Sequence, residues 1–281
     1  NISAMQLKDT DNKKVIVFFR KVFNGWYFGS VTPHFTFYSD LYAAALILAF
    51  LWIALSLLVC YILLRFSAKK MKADEQVMDL QDALLKTMAE MINCRDDITG
   101  GHIERTQRVL KILVEAIEKS GIYQEESRHW NKKLLFQSCQ LHDVGKVSIR
   151  DSILKKQGKL SAEEFEEMKR HTTFGEQLIE KIEMKTIEND FLNYAKTFAA
   201  SHHEKWNGTG YPRGLKENEI PLIGRIMAIA DVYDALVSER SYKKPYTHEE
   251  AVKTIAESSG THFDPPLVEL FVENAHMFNL E

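Results

Sequence analysis

LLFQSCQLHDVGK, residues 134–146, is the most informative segment of this chain, because an apolar helical run ends there in a histidine next to an aspartate. Neighbouring side chains on a helix diverge by about 100°. Two adjacent ligands therefore make sense if they serve different metal ions, or if the carboxylate bridges two ions. Asp143 is the natural bridge, and His142 is a candidate ligand of one ion.

Further residues of metal-ligating type stand on both sides of that segment, in the order His102, His171, His202, His203 and Asp231. Asp231 interrupts an apolar run, where an unpaired carboxylate costs several kcal/mol. A metal ion would satisfy it; the alternative is a hydrogen bond to backbone or to a partner helix. Imidazole and carboxylate without thiolate suit iron, manganese, zinc or cobalt rather than calcium. The set predicts two divalent metal ions, as in a metallohydrolase.

The composition narrows the class of protein. The chain has 281 residues, 45% of them apolar and 27% charged, which is enough for one domain of about 200 residues with attachments. Its net charge of −3 produces no general basic field, so we expect no nucleic-acid polymer as a partner. The three cysteines form no CxxC pair, which argues against a structural zinc knuckle and a disulfide framework.

LYAAALILAFLWIALSLLVCYILL, residues 41–64, carries no charge and no proline and is long enough to cross a hydrocarbon core of about 30 Å. It predicts one transmembrane helix. Cations follow it at Arg65, Lys69, Lys70 and Lys72, whereas Asp40 precedes it. By the positive-inside rule, the C-terminal side of this single span lies in the cytoplasm.

The segments on either side of this helix differ in pattern. Residues 1–40 contain the β-branched and aromatic runs VIVFF (15–19) and WYFGSVTP (26–33), which predict the last strands of a sensor domain outside the membrane. They resemble the end of an extracytoplasmic Cache-type domain, and we expect the chain to be a fragment of a longer protein. Residues 65–85 predict a cytoplasmic signalling helix, and a homodimer is expected through the helix-favouring stretch 67–91.

Residues 86–281 alternate helical patterns with short loops and show no convincing period-two strand, so we predict an all-α domain. The expected helices span roughly 102–120, 131–143, 161–184, 189–203, 219–239, 247–257 and 265–275. Ser161 and Glu164 predict a capping box at the start of one helix. Asp264, directly before Pro265, is expected to cap the last helix.

Five motifs in fixed order carry a resemblance to a known family. They are RDDITGGHIERTQRV (95–109), HDVGK (142–146), HTTFG (171–175), HHEKWNGTGYP (202–212) and AIADVYDAL (228–236). Together they resemble the HD-GYP family of HD-superfamily phosphodiesterases over residues 86–281. The resemblance implies an all-α HD-superfamily helical bundle with a dinuclear metal site.

The resemblance also implies ligands and an activity. One ion would be held by His102, His142 and Asp231, and a second by His171, His202 and His203, with Asp143 bridging. Iron or manganese is favoured. The implied reaction is hydrolysis of cyclic di-GMP to pGpG by a water that the two metal ions activate; onward cleavage to GMP stays open. The whole would be anchored in the bacterial inner (cytoplasmic) membrane, with a single span in this fragment and the catalytic domain in the cytoplasm, and it would be controlled by the extracytoplasmic sensor.

The resemblance also implies substrate residues, two of them from the same motifs and two, Arg240 and Lys243, from an element that matches the family's RPYK with Ser241 in place of proline. Lys146 would neutralise transition-state charge or protonate the leaving oxygen; the alternative is a solvated cation at a helix end. Tyr211 would stack on a guanine or donate its hydroxyl, and Gly210 would permit a close approach; the alternative is a plain turn. Arg240 and Lys243 would contact substrate phosphates, with a merely solvated face as the alternative.

Several points stay open at the level of sequence. Ile98 stands where some members place a glutamate that binds a third ion, which favours a dinuclear site. Asp234 is expected either to orient a ligand histidine or to bond a helix N-terminus. The chain could instead be a non-catalytic cyclic-dinucleotide receptor, or a scaffold whose GYP loop binds a diguanylate cyclase (GGDEF) domain. It could also hydrolyse another cyclic dinucleotide, such as 3′3′-cGAMP.

Overall fold

The structure, a computed structural model, describes residues 2–93, 95, 101–185, 189–239 and 244–278. The chain divides into two compact units, Asn1–Val77 and Met78–Glu281.

The first unit begins with a three-stranded antiparallel sheet. Its strands are β1 (Ile2–Lys8), β2 (Lys14–Lys21) and β3 (Tyr27–Pro33), in the order β1-β2-β3. Asn12 and Asn24 adopt positive φ values of 63° and 57° in the two connections, which asparagine tolerates. The predicted run 15–19 lies within β2, and all but the first residue of the predicted run 26–33 forms β3, so the expectation of a short β-rich segment is confirmed.

One long helix, α1 (His34–Asn93), follows the sheet. It runs without a break through the predicted membrane segment and the predicted signalling helix, because no glycine or proline occurs between its ends. An 18-residue window within it has a mean hydropathy of 2.8 and is 0% buried. By length and composition, α1 is apolar enough to cross a membrane.

The second unit is helical. Its helices after α1 are α2 (His102–Ser120), α3 (Gln124–Ser127), α4 (Lys132–Ser138), α5 (Asp151–Leu154), α6 (Ala162–Glu183), α7 (Asp190–Ser201), α8 (Leu222–Val237), α9 (His248–Glu257) and α10 (Pro265–Glu273). Within the described part of this unit the only β pairings are two isolated bridges, Asn207 with Lys216 and Ser259 with Phe263. The predicted helical class is therefore confirmed.

The core of this unit forms where α2, α8, α9 and α10 pack together. Leu113, Ile226 and Phe271 are completely buried there. α8 is apolar around most of its circumference, as expected for a helix with neighbours on several sides. This central position places the two acidic residues of α8, Asp231 and Asp234, near the middle of the bundle.

The helix predicted over 131–143 is shorter than expected, which corrects that prediction. α4 ends at Ser138, a 3₁₀ turn follows over Cys139–Leu141, and Asp143 has φ −98° and ψ 8°, outside the regular helix. The reason is tertiary. A Cβ on Gly145 would lie 1.9 Å from the carbonyl oxygen of His171, so the chain turns away from the helix to lie against α6.

The two predicted caps have different outcomes. At α6 the capping box is confirmed: the backbone N–H of Glu164 donates to Ser161 Oγ at 3.2 Å, and that of Ser161 donates to Glu164 Oε2 at 2.6 Å. At α10, Asp264 occupies the capping position but its side chain makes no capping bond. Its carboxylate instead accepts from Arg225 Nη1 at 2.8 Å and from the Tyr123 hydroxyl at 2.7 Å. A buried ion pair thus replaces the predicted cap.

Replacing Arg225 with methionine will destabilise the fold by about 3–5 kcal/mol, because Asp264 would remain buried without its cationic partner. Arg225 is 4% exposed and Asp264 is 1% exposed. Chemical denaturation of the purified chain measures the change. Lys253→Met is the matched control, since Lys253 forms an exposed ion pair with Glu257 and should leave the midpoint unchanged. Equal midpoints for both variants would contradict the prediction.

Candidate metal centre

Two groups of candidate ligands lie at the centre of the second unit. His102, at the start of α2, approaches His142 and Asp231. His171 from α6 approaches His202 and His203, which follow the end of α7. Within each group, one ligand atom per residue lies within 4.8 Å of the others. These are the two sets that the sequence analysis expected.

Asp143 lies between the two groups. Its Oδ2 is 3.4 Å from His142 Nε2, on the side of the first group. Its Oδ1 is 3.4 Å from His171 Nε2 and 3.7 Å from His202 Nε2, on the side of the second. One carboxylate oxygen therefore faces each group, which is the geometry that a bridging ligand requires.

Hydrogen bonds fix the orientation of the histidine rings. Three rings donate from Nδ1 to a backbone carbonyl 2.8 Å away: His142 to Cys139, His171 to Met168 and His202 to Phe198. A carbonyl oxygen can only accept, so the proton of each neutral ring is on Nδ1 and its Nε2 carries a lone pair. The three Nε2 lone pairs are thus available as ligands.

His102 is oriented by a carboxylate rather than by backbone. Its Nδ1 lies 2.6 Å from Asp234 Oδ2, and Arg105 donates to the other oxygen of Asp234. Burial raises the pKa of Asp234, but the bonds from His102 and Arg105 outweigh it, and the pKa lies below its ordinary value. Of the two roles expected for Asp234, the structure favours orientation of a candidate ligand.

The chemistry of the donor set fits metal ions. His102 Nε2, His142 Nε2 and Asp143 Oδ1 are buried and have no hydrogen-bond partner, an arrangement that is costly unless an ion satisfies it. Burial lowers the pKa of His171 to about 4 and places that of His203 well below its ordinary value. Both imidazoles are therefore neutral near pH 7, as ligation requires.

Lys146 extends the site beyond Asp143. Its Nζ lies 2.8 Å from Asp143 Oδ2, and its side chain is 12% exposed. This burial does not fit the alternative of a solvated cation at a helix end. Burial raises the pKa of Asp143, but the charge of Lys146 and the contact with His142 hold that pKa well below its ordinary value. The carboxylate is therefore ionised and the ammonium is fixed beside it.

Tyr211 lies next to the second group. Its ring centroid is 4.8 Å from that of His203, and its backbone N–H donates to the His203 carbonyl at 3.1 Å. A Cβ on Gly210 would lie 2.3 Å from the backbone nitrogen of Lys205, so this glycine permits a close approach within the chain itself. Its expected contact with substrate stays a prediction.

Some predicted residues cannot be placed. Arg240 and Lys243, expected to contact phosphates, lie outside the described residues, and so does Ile98.

Glu204 is a positioning residue to which the sequence analysis assigned no role. It is 2% exposed, and its carboxylate accepts from the backbone N–H groups of Arg213 at 2.8 Å and Leu215 at 3.0 Å. These bonds hold the loop that carries Tyr211. Its position directly after His202 and His203 was the available signal, and its burial is seen only in the packed structure.

Replacing Asp234 with asparagine will lower the affinity for one of two metal ions by about 10- to 100-fold, because the amide supports the orientation of His102 less strongly than the carboxylate. Titration of the metal-free chain against a competing chelator measures the affinity of each site. Asp190→Asn, an exposed change at the start of α7, is the matched control. Two unchanged affinities would rule out the orienting role.

Comparison with known proteins identifies the family of this chain. The HD domain family matches residues 86–267. A cyclic di-GMP phosphodiesterase of Vibrio cholerae serotype O1 is 45% identical over 197 residues, covering 70% of this chain and 40% of that protein. The 3′3′-cGAMP-specific phosphodiesterase 2 of the same organism is 39% identical over 191 residues, covering 68% of this chain and 34% of that protein.

This chain spans less than half the length of either relative. Among solved structures, Bd1817, an HDG"Y"P protein from Bdellovibrio bacteriovorus, is 20% identical, with a TM-score of 0.44, covering 61% of this chain and 51% of that one. A likeness of that size supports no argument by itself. The family match covers well over half of the chain and includes every candidate metal ligand. The chain therefore belongs to the HD domain family.

Proposed function

We propose that this chain is a metal-dependent phosphodiesterase that hydrolyses cyclic di-GMP to pGpG. The placement of Asp143, with one oxygen toward each group of histidines, is the observation that carries the proposal. The relative named as a cyclic di-GMP phosphodiesterase, 45% identical over 197 residues, supports the choice of substrate.

Two divalent ions, iron or manganese, would supply Lewis acidity and an activated water when bound. His102, His142 and Asp231 would hold one ion, and His171, His202 and His203 the other. Asp143 would keep the two positions together. Lys146 would lie beside the scissile phosphate, where its ammonium neutralises developing charge or gives a proton to the leaving oxygen. Tyr211 and the segment with Arg240 and Lys243 would hold the rest of the substrate.

Membrane anchoring and sensor control are further parts of the proposal. α1 would cross the bacterial inner membrane once, with the metal centre on the cytoplasmic side and the β-sheet as the end of a Cache-type sensor. Val77, Leu80, Leu84 and Met91 form an exposed apolar stripe along α1, which supports a homodimer through this helix. The loop that carries Tyr211 would be the contact for a diguanylate cyclase (GGDEF) domain.

The end of α1 offers a route for control. Ala89 and Ile92 line a small space together with Asp143 and Val144. Arg95, two residues beyond the helix, donates to the carbonyl of Val147 at 3.2 Å. A shift of α1 along or about its axis would therefore act directly on the segment that bears Asp143 and Lys146.

The test is turnover by the chain purified without oxygen and loaded with Fe²⁺ or Mn²⁺. Cyclic di-GMP should be converted to pGpG, and chromatography of the products shows whether GMP follows. Chelated protein is the control and should be inactive. Tight binding of cyclic di-GMP without product in every metal-loaded state would overturn the proposal in favour of a non-catalytic receptor.

A second substrate is favoured by a specific observation, the 39% identity to a 3′3′-cGAMP-specific phosphodiesterase. Cyclic di-GMP and 3′3′-cGAMP supplied together in equal amounts will show which one the chain consumes first. Exclusive consumption of 3′3′-cGAMP would reassign the substrate and leave the metal centre as proposed.

A further inference from the structure

An exposed aromatic side chain of α6 lies beside the candidate metal centre. Phe165 is 46% exposed, a large apolar surface for a residue so close to a buried site. Its ring centroid is 6.3 Å from that of Tyr211, at an interplanar angle of 81°. Since Tyr211 in turn contacts His203, an aromatic surface extends outward from the second group of ligands.

A cation accompanies the two rings. Lys169 Nζ lies 5.0 Å from the ring centroid of Phe165 and 5.7 Å from that of Tyr211. Phe165 and Lys169 are four residues apart on α6, so their side chains lie on the same helix face. Lys169 is 27% exposed and pairs with Glu166, whose side chain is 69% exposed, so this pairing is weak in solvent.

Aromatic faces beside a lysine are the elements that recognise a purine base. A base gains stacking free energy on an aromatic side chain whatever its identity. Lysine adds selectivity, because the O6 and N7 atoms of guanine both accept hydrogen bonds, whereas adenine presents an amino donor in place of O6. The combination therefore suits guanine better than adenine.

We propose that Phe165 and Lys169, together with Tyr211, form a subsite for one guanine base of the substrate. The inference rests on the proposed function, because the base must belong to a phosphodiester held at the metal centre. Phe165 stacks on the base, and Lys169 donates to its O6 and N7 in place of its bond to Glu166. Both side chains are specificity determinants and neither touches the reacting atoms.

The first test is steady-state kinetics of Phe165→Ala in the full, metal-loaded chain. The KM for cyclic di-GMP should rise by about 5- to 100-fold, with a smaller change in kcat, because one stacked base is lost. Turnover of bis(p-nitrophenyl) phosphate, which has no purine base, should stay within about twofold, and Phe165→Trp should restore a low KM. Ile182→Ala is the matched control, since Ile182 is also 46% exposed and lies near the far end of α6.

The second test separates base identity from stacking. Lys169→Gln should lower the kcat/KM for cyclic di-GMP by about tenfold and leave the inhibition constant of cyclic di-AMP unchanged. Lys181→Gln, also on α6, is the control and should change neither value.

Three results would count against the subsite. The first is an unchanged KM for cyclic di-GMP in Phe165→Ala. The second is a loss of bis(p-nitrophenyl) phosphate turnover in Phe165→Ala as large as the loss of cyclic di-GMP turnover, which would indicate a deformed metal centre. The third is an equal effect of Lys169→Gln on the kcat/KM for cyclic di-GMP and on the inhibition constant of cyclic di-AMP. If the parent chain hydrolyses no cyclic dinucleotide, the proposed function fails by itself. Calorimetric binding of cyclic di-GMP to the parent and to Phe165→Ala then decides the subsite: about 5- to 100-fold weaker binding supports it, and equal binding overturns it.

Discussion

Replacing Asp143 with alanine will reduce hydrolysis of cyclic di-GMP by more than about 10³-fold, because the metal pair supplies several kcal/mol of charge stabilisation in such reactions. Asp143 has its Oδ2 3.4 Å from His142 Nε2 and its Oδ1 3.4 Å from His171 Nε2, so its two oxygens each reach a histidine of a different group. The bound metal should also fall below two ions per chain. Elemental analysis and product formation, measured on the same preparation, check both effects.

Two further variants, one at Asp143 and one at an exposed aspartate, show what causes the loss. Asp143→Asn keeps the shape and loses the charge, so it should lose activity and metal together if charge is what bridges the ions. Asp190→Ala, on the exposed start of α7, should behave as the parent chain. Circular dichroism of Asp143→Ala excludes unfolding as the cause, since Lys146 would lose its carboxylate partner. Full metal content with full activity would show that Asp143 does not bridge.

Replacing Lys146 with methionine will lower kcat by about 10²- to 10³-fold, the loss typical when one preorganised donor to developing charge is removed. Methionine retains the unbranched apolar stem, so packing around the mostly buried side chain should survive. The metal content should stay at the parent value, which distinguishes this variant from Asp143→Ala. Steady-state kinetics measures the changes in kcat and KM, and elemental analysis of the same preparation measures the metal content.

Lys155→Met provides the matched control for Lys146. Lys155 also pairs with an aspartate, Asp151, but the side chains are 47% and 57% exposed. Its removal should leave kcat unchanged. An unchanged kcat in Lys146→Met would mean that Lys146 is only a structural counter-ion of Asp143.

Local signals predicted the helical framework well. α2 begins at His102 and ends at Ser120, as the apolar spacing indicated, and the Ser161 capping box opens α6. Both features depend on residues three or four positions apart, whose interactions the sequence displays directly. The helix predicted over 131–143 is shorter in the structure, where α4 ends at Ser138 and a 3₁₀ turn follows. The close contact of Gly145 with α6 joins distant parts of the chain, so no local pattern could indicate it.

Partners across helices were not predictable from local patterns. The position of Asp234 three residues after Asp231 indicated the same helix face, but not that its carboxylate bonds His102 on α2. Asp264 was expected to cap a helix and instead pairs with Arg225. No local pattern distinguishes Phe165 from other apolar residues, because its proposed role depends on its distance to Tyr211.

Residue types and their order were enough to indicate a helical domain with ligands for two divalent ions, because imidazole and carboxylate chemistry belongs to the side chains themselves. The division of those ligands into two sets came from the family resemblance, and their roles in metal binding stay predictions. Only the packed helices show which oxygen of Asp143 faces which group, which carboxylate orients His102, and that Phe165 stands exposed beside Tyr211. These features are distances between helices far apart in sequence, and neither periodicity nor capping patterns specify such distances.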